Sequence, residues 1–102
     1  MDKKKQLQAI EEYVYKHFHD DSTGHDYFHM KRVTRIAKEI AIKEPADIFI
    51  TESAAWIHDI GDPKLFSNPV RAIEDMCSFL ESINIPWRNT RYSSSYQRGF
   101  VQ

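Results

Sequence analysis

Apolar residues return at three- and four-residue steps along most of this chain, and that spacing predicts helices. Leu7, Ile10, Val14 and Phe18 form the stripe of a first helix ending near His19. The polar, turn-forming run Asp20-Asp21-Ser22-Thr23-Gly24 follows it. A second helix is predicted from Tyr27 to Glu44, with Val33, Ile36, Ala37 and Ile40 turned inward and Lys31, Arg35, Lys38 and Lys43 mostly turned away. Pro45 stops it, because the residue before a proline is disfavoured in the helical region. Asp47 is the expected N-cap of a third, largely buried helix from Ile48 to His58, rich in Ile50, Ala54, Ala55 and Ile57. Gly61-Asp62-Pro63 breaks the chain again. Asn68 is the expected cap of a fourth helix, with Pro69 in its first turn and Val70, Ile73, Cys77 and Leu80 as its buried stripe. No stretch alternates in the manner of a strand, so the fold class is all-α: a compact helical domain of about four main helices.

The pattern changes after Pro86. Residues 87–102 hold three arginines and three consecutive serines but no acidic residue, and every Asp and Glu lies at or before Glu81. Without a helical period, this segment reads as a flexible extension; an ordered arm held by Trp87, Tyr92, Tyr96 and Phe100 is the alternative. The division expected is therefore residues 1–85 as a helical domain and 86–102 as a basic, serine-rich tail.

Totals narrow the function classes. A chain of 102 residues suits one small domain. A net charge of −1 supplies no global field to recruit nucleic acid or a membrane surface. No apolar run is long enough to span a bilayer. The lone Cys77 cannot form an internal disulfide, which fits a reducing cytoplasm. It also excludes a multi-cysteine zinc site, so any metal must be held by imidazole and carboxylate.

Two clusters carry the candidate chemistry. In Gly24-His25-Asp26-Tyr27-Phe28-His29-Met30-Lys31-Arg32-Val33, His29 lies one turn before Val33 and so points inward near a helix start. In Trp56-Ile57-His58-Asp59-Ile60-Gly61-Asp62-Pro63-Lys64, an apolar helix ends in adjacent His and Asp beside a bend. Imidazole and carboxylate together suit a divalent ion such as manganese, iron, cobalt, nickel or zinc. Such an ion can polarise a phosphoryl oxygen and lower the pKa of water. A core histidine, a His at a helix C-terminus and a turn-forming Asp are the structural alternatives.

These residues resemble the HD superfamily of metal-dependent phosphohydrolases. His29-Met30-Lys31-Arg32-Val33 is similar to its H-x-x-R-V element, and His58-Asp59 to its namesake pair. The wider strings resemble a bacterial subgroup of small, stand-alone HD hydrolases, over about Gln6 to Ile85. The resemblance implies an all-α fold, His29, His58 and Asp59 as ligands of one divalent metal, and hydrolysis of nucleotides or other phosphate esters and anhydrides.

Beyond the three ligands, Asp62 is the candidate for orienting or deprotonating water, or else the opening of a Pro-containing turn. Lys64 and Arg32 are candidate phosphate contacts. Asp26 is a candidate N-cap, and His25 with Asp26 a candidate support for the ligands. The expected partner is a small phosphorylated molecule, a nucleotide, rather than nucleic acid or membrane. A catalytically silent metal-binding or partner-binding module is the competing class. The family's fourth ligand is an Asp on a downstream helix, and no Asp follows Asp75. A truncated or frameshifted reading frame would account for this, and it implies impaired activity.

Overall fold

The computed structural model describes residues 2–22, 26–44 and 47–87. Four helices make up its regular structure: α1 (Lys3–Phe18), α2 (Tyr27–Lys43), α3 (Ile48–Ile57) and α4 (Pro69–Ser82). No strand occurs among the described residues, so the all-α expectation holds. Every helix begins on a side chain that accepts a backbone N–H: Asp2 from Lys5, Asp26 from His29, Asp47 from Ile50 and Asn68 from Arg71. Each cap satisfies one of the donors that a helix start leaves open.

Helix α3 is the centre of the packing. Seven of its ten residues are buried: Phe49, Ile50, Ser53, Ala54, Ala55, Trp56 and Ile57. It lies against α2 most extensively and against α1 as well. From α1 come Ile10, Val14 and Phe18; from α4 come Met76, Cys77 and Leu80. Tyr13 of α1 stacks on Phe79 of α4, ring centres 4.2 Å apart, and fastens the last helix to the first. The first helix also buries Gln6, whose Nε2 donates to the carbonyl of Ile83 at 2.7 Å. That polar core contact was not anticipated from an apolar stripe; Leu7, beside it, is only partly buried.

Helix α2 is rotated relative to the expected stripe. Its buried residues are Met30, Thr34, Ala37 and Ala41, while Ile36 and Ile40 are 54% and 57% exposed. Small side chains at Thr34, Ala37 and Ala41 let two backbones approach closely, and α3 answers with Ser53, Ala54 and Ala55. Size rather than hydrophobicity selects the face. Helix α4 likewise leaves Val70 exposed and Ile73 partly so, and buries Met76 in their stead.

The chain turns back toward the core after α4. Asn84 takes a positive φ of 67° after α4, a conformation that Asn tolerates better than most residues. Ile85 N–H then closes back on the Leu80 carbonyl at 2.9 Å. This turn delivers Ile85 and Trp87 into the core, at 1% and 3% exposure. Trp87 is therefore part of the domain and not of a flexible extension. Residues 88–102, with Tyr92, Tyr96 and Phe100, lie outside the described residues.

Beside the Tyr13–Phe79 stack, His17 packs its ring against Tyr13 at 4.7 Å and Phe66 at 6.0 Å. Burial holds its pKa below the usual 6.5, Lys16 adds to this, and Asp75 opposes it. The unfolded chain thus binds this proton first as pH falls. Stability that His17 leaves intact above about pH 6.5 is lost as pH drops through the lower, folded value. Thermal melts between pH 7 and 5 should show the midpoint falling more in the wild type than in His17→Gln. Equal slopes would show that this imidazole is solvated in the native state.

Candidate metal centre

The site is assembled by two helix ends. Asp26 caps α2 through His29 itself: its Oδ1 accepts from the His29 backbone N–H at 2.9 Å. The cap therefore fixes the backbone of the ligand candidate as well as the helix start. Across the α2–α3 packing, His58 is the C-cap of α3. Its Nδ1 lies 2.6 Å from the Ala55 carbonyl, one turn back. A carbonyl only accepts, so Nδ1 carries the proton. In the neutral ring that leaves a lone pair on Nε2. Nε2 stands 3.4 Å from Oδ1 of Asp59, and the side chains of His58 and Asp59 are 11% and 13% exposed.

The rings of His29 and His58 are 6.2 Å apart. One ligand atom from each of His29, His58 and Asp59 falls within 4.8 Å of the others. The expected convergence of the two clusters is therefore present. Adjacent helical residues diverge by about 100°, yet His58 and Asp59 reach one point because the helix has already ended there. An imidazole lone pair facing a carboxylate oxygen at this range is repulsive unless a proton or cation lies between them. The donor set thus fits a divalent ion.

A tight turn holds this arrangement. Ile60 N–H bonds to Ile57 O and Asp62 N–H to Asp59 O. Gly61 adopts φ +90°, and a Cβ there would meet Cγ1 of Ile73 at 2.5 Å. The positive φ favours glycine here, and a larger residue would also have to displace the Ile73 side chain.

The remaining candidates fall elsewhere. Asp62 is outside the three-residue cluster, and its Oδ1 accepts from the Lys64 backbone N–H at 2.9 Å, the role of a turn-opening carboxylate. Lys64 is exposed on the same turn. Arg32 lines a separate groove with Phe28, Lys31 and Arg35, which none of the three ligand candidates lines. His25 lies outside the described residues. Sequence reasoning missed Tyr27, whose hydroxyl donates to the Glu11 carboxylate and whose ring stacks on Trp56 at 5.9 Å. That hydrogen bond, then burial and the Glu11 charge, push its pKa up to about 12. Only a contact between residues far apart in sequence could have revealed it.

A model of the HD domain family matches residues 26–86. The chain belongs to the HD domain family. It is also similar to the Uncharacterized protein YpgQ of Bacillus subtilis (strain 168), 46% identical over 61 residues. Those residues are 60% of this chain and 30% of that protein, so the chain spans under a third of the relative's length. No solved structure matches with significance. Among the described residues, His29, His58 and Asp59 form a group that could hold a metal ion.

The turn geometry yields a test. Gly61→Ala should lower stability by about 1–3 kcal/mol, because strained φ and a clash act together. Adding Ile73→Ala should recover only part of it, since the clash is relieved but the φ remains. Urea denaturation of both variants measures this; full recovery in the double variant would show that backbone strain contributes nothing.

Proposed function

We propose that this chain performs divalent-metal-dependent hydrolysis of phosphate esters or anhydrides, with nucleotides as the substrate class. The convergence of His29, His58 and Asp59 within 4.8 Å carries the reading. A bound divalent ion would supply Lewis acidity toward a phosphoryl oxygen and activation of water. The protein's own part is to hold the ligands. The Ala55 carbonyl fixes the His58 tautomer, Asp26 fixes the start of α2 beneath His29, and Gly61 turns the chain so that Asp59 can face both rings. Lys64, on the exposed turn beyond Asp59, is the proposed contact for a substrate phosphate. Asp62 is the proposed acceptor of a proton from water, with its Oδ2 as the available oxygen because Oδ1 already accepts from Lys64 N–H.

The described residues bring three protein ligands together. Exposed Ile36 and Ile40 lie on the same flank of α2 as His29, about two and three turns along it, and nothing among the described residues covers them. With three protein ligands converging among the described residues, water must complete the coordination of a bound ion. Binding of Mn²⁺ or Ni²⁺ should therefore be weak, and phosphate release from nucleoside triphosphates slow.

Titration calorimetry with Mn²⁺ is the measurement, with phosphate release followed alongside. Asp59→Asn should weaken binding about tenfold or more, because a charged ligand is removed while its shape is kept. Equal affinity in both proteins would take Asp59 out of the site. Binding with no manganese-dependent phosphate release would be the behaviour of a silent metal-binding module and would sink the enzymatic reading.

A further inference from the structure

Helix α2 carries a second set of charges on its other side. Lys31 and Lys38 lie about 180–200° round the helix from His29. With Arg32 and Arg35 they line a groove of about 330 Å³ between α2 and α3. Its remaining walls are Phe28, Thr34, Glu52 and Trp56. The volume is within the range of small-molecule sites.

Three features make this more than a solvated face. The first is charge. Four cations stand against one carboxylate, Glu52, which is 3.9 Å from Lys38. No ion pair is formed by Arg32 or Arg35 among the described residues. Like charges one turn apart, such as Lys31 and Arg35, destabilise a helix, so the arrangement has a cost that an anion would remove. The second is Thr34, 4% exposed, whose Oγ1 has no hydrogen-bond partner. A buried hydroxyl left so is unfavourable. Thr34 is among the residues that line the groove. The third is apolar surface at the same place. Phe28 is 62% exposed at the rim, over a floor formed by the nearly buried Trp56.

We infer that this groove binds a nucleotide, with the phosphates held by Lys31, Arg32, Arg35 and Lys38 and the base packed on Phe28. None of the three ligand candidates lines this groove; Lys31 and Lys38 face away from His29, while Arg32 lies about 60° round the helix from it. It gives Arg32 the phosphate contact that its guanidinium suits, though not at the metal. The hydroxyl of Thr34 would donate to a phosphate oxygen. Because neither His58 nor Asp59 lines the groove, binding there needs no divalent ion.

The experiment is calorimetry of the full chain in excess EDTA, with ATP and inorganic tripolyphosphate as probes. Both should bind saturably at one site, ATP at least threefold more tightly. Arg35→Gln, a substitution at an exposed position, should weaken both at least fivefold, and Thr34→Val, which keeps the shape, should weaken both severalfold. Phe28→Ser should abolish the advantage of ATP and leave tripolyphosphate unchanged. His58→Ala, confirmed as folded by circular dichroism, should bind both probes as the wild type does. The assignment is overturned by unsaturable binding, by wild-type affinity in Arg35→Gln, or by loss of binding in His58→Ala. ATP no tighter than tripolyphosphate overturns the base contact and with it the nucleotide. A single-stranded oligonucleotide binding more tightly than ATP overturns a small-molecule ligand. Loss of manganese binding elsewhere leaves all these readouts intact, so the two sites are judged independently.

Discussion

Burial of α3 is the constraint on which this domain rests. Ten residues are too few for a stable helix in water, and this one is apolar almost all round. It persists because α1 and α2 enclose it and the α4 segment closes the core. Its C-terminal end is also where the burial stops, and His58 and Asp59 stand at that edge. Their side chains are thus mostly shielded from water without being sealed. A ligand set at such a boundary has a rigid base on one side and an approach for substrate on the other. The same packing draws the start of α2 against the end of α3, and this is what brings His29 opposite His58.

Much of the element order was legible because its signals are local. Asp26, Asp47 and Asn68 read as caps and act as caps, each accepting from the N–H three residues on. The site was legible for a related reason. His29 near one helix start and His58-Asp59 at one helix end need only those two ends to meet, and the helical boundaries were marked. The faces were harder. On α2 the isoleucines outweigh the alanines in any count of hydrophobicity, yet Ala37 and Ala41 are buried and Ile36 and Ile40 are exposed. Close helix approach rewards small side chains, and that preference depends on the partner helix, which a single stripe does not contain. Trp87 was misread for a similar reason. The Asn84 turn that carries it inward leaves no periodic mark.

Tyr27 shows how one residue links the two flanks of α2. It follows the Asp26 cap, lies two positions before His29, and stacks on Trp56 two positions before His58. Its hydroxyl is tied to Glu11 of α1. The three helices are therefore cross-braced within one turn of both candidate ligands. Lys31 sits 5.9 Å over the same ring, so the positive flank is joined to this brace through an aromatic face.

That shared support bears on how the two flanks can affect one another. Coupling between sites requires a structural element whose arrangement both ligands bias. Helix α2 is such an element, because His29 projects from one side and Lys31, Arg35 and Lys38 from the other. An anion bound in the groove would act on α2 through Lys31, Arg35 and Lys38. A rigid helix moved on one flank must move on the other, and the spacing of His29 from His58 would change with it. The direction is set by packing. Thr34, Ala37 and Ala41 already meet α3 with small side chains, so the interface has little room to close and only rotation of α2 about its own axis is cheap. Rotation changes where the His29 imidazole points far more than it changes the depth of the core. Any coupling between the two flanks would therefore act on the orientation of the His29 imidazole.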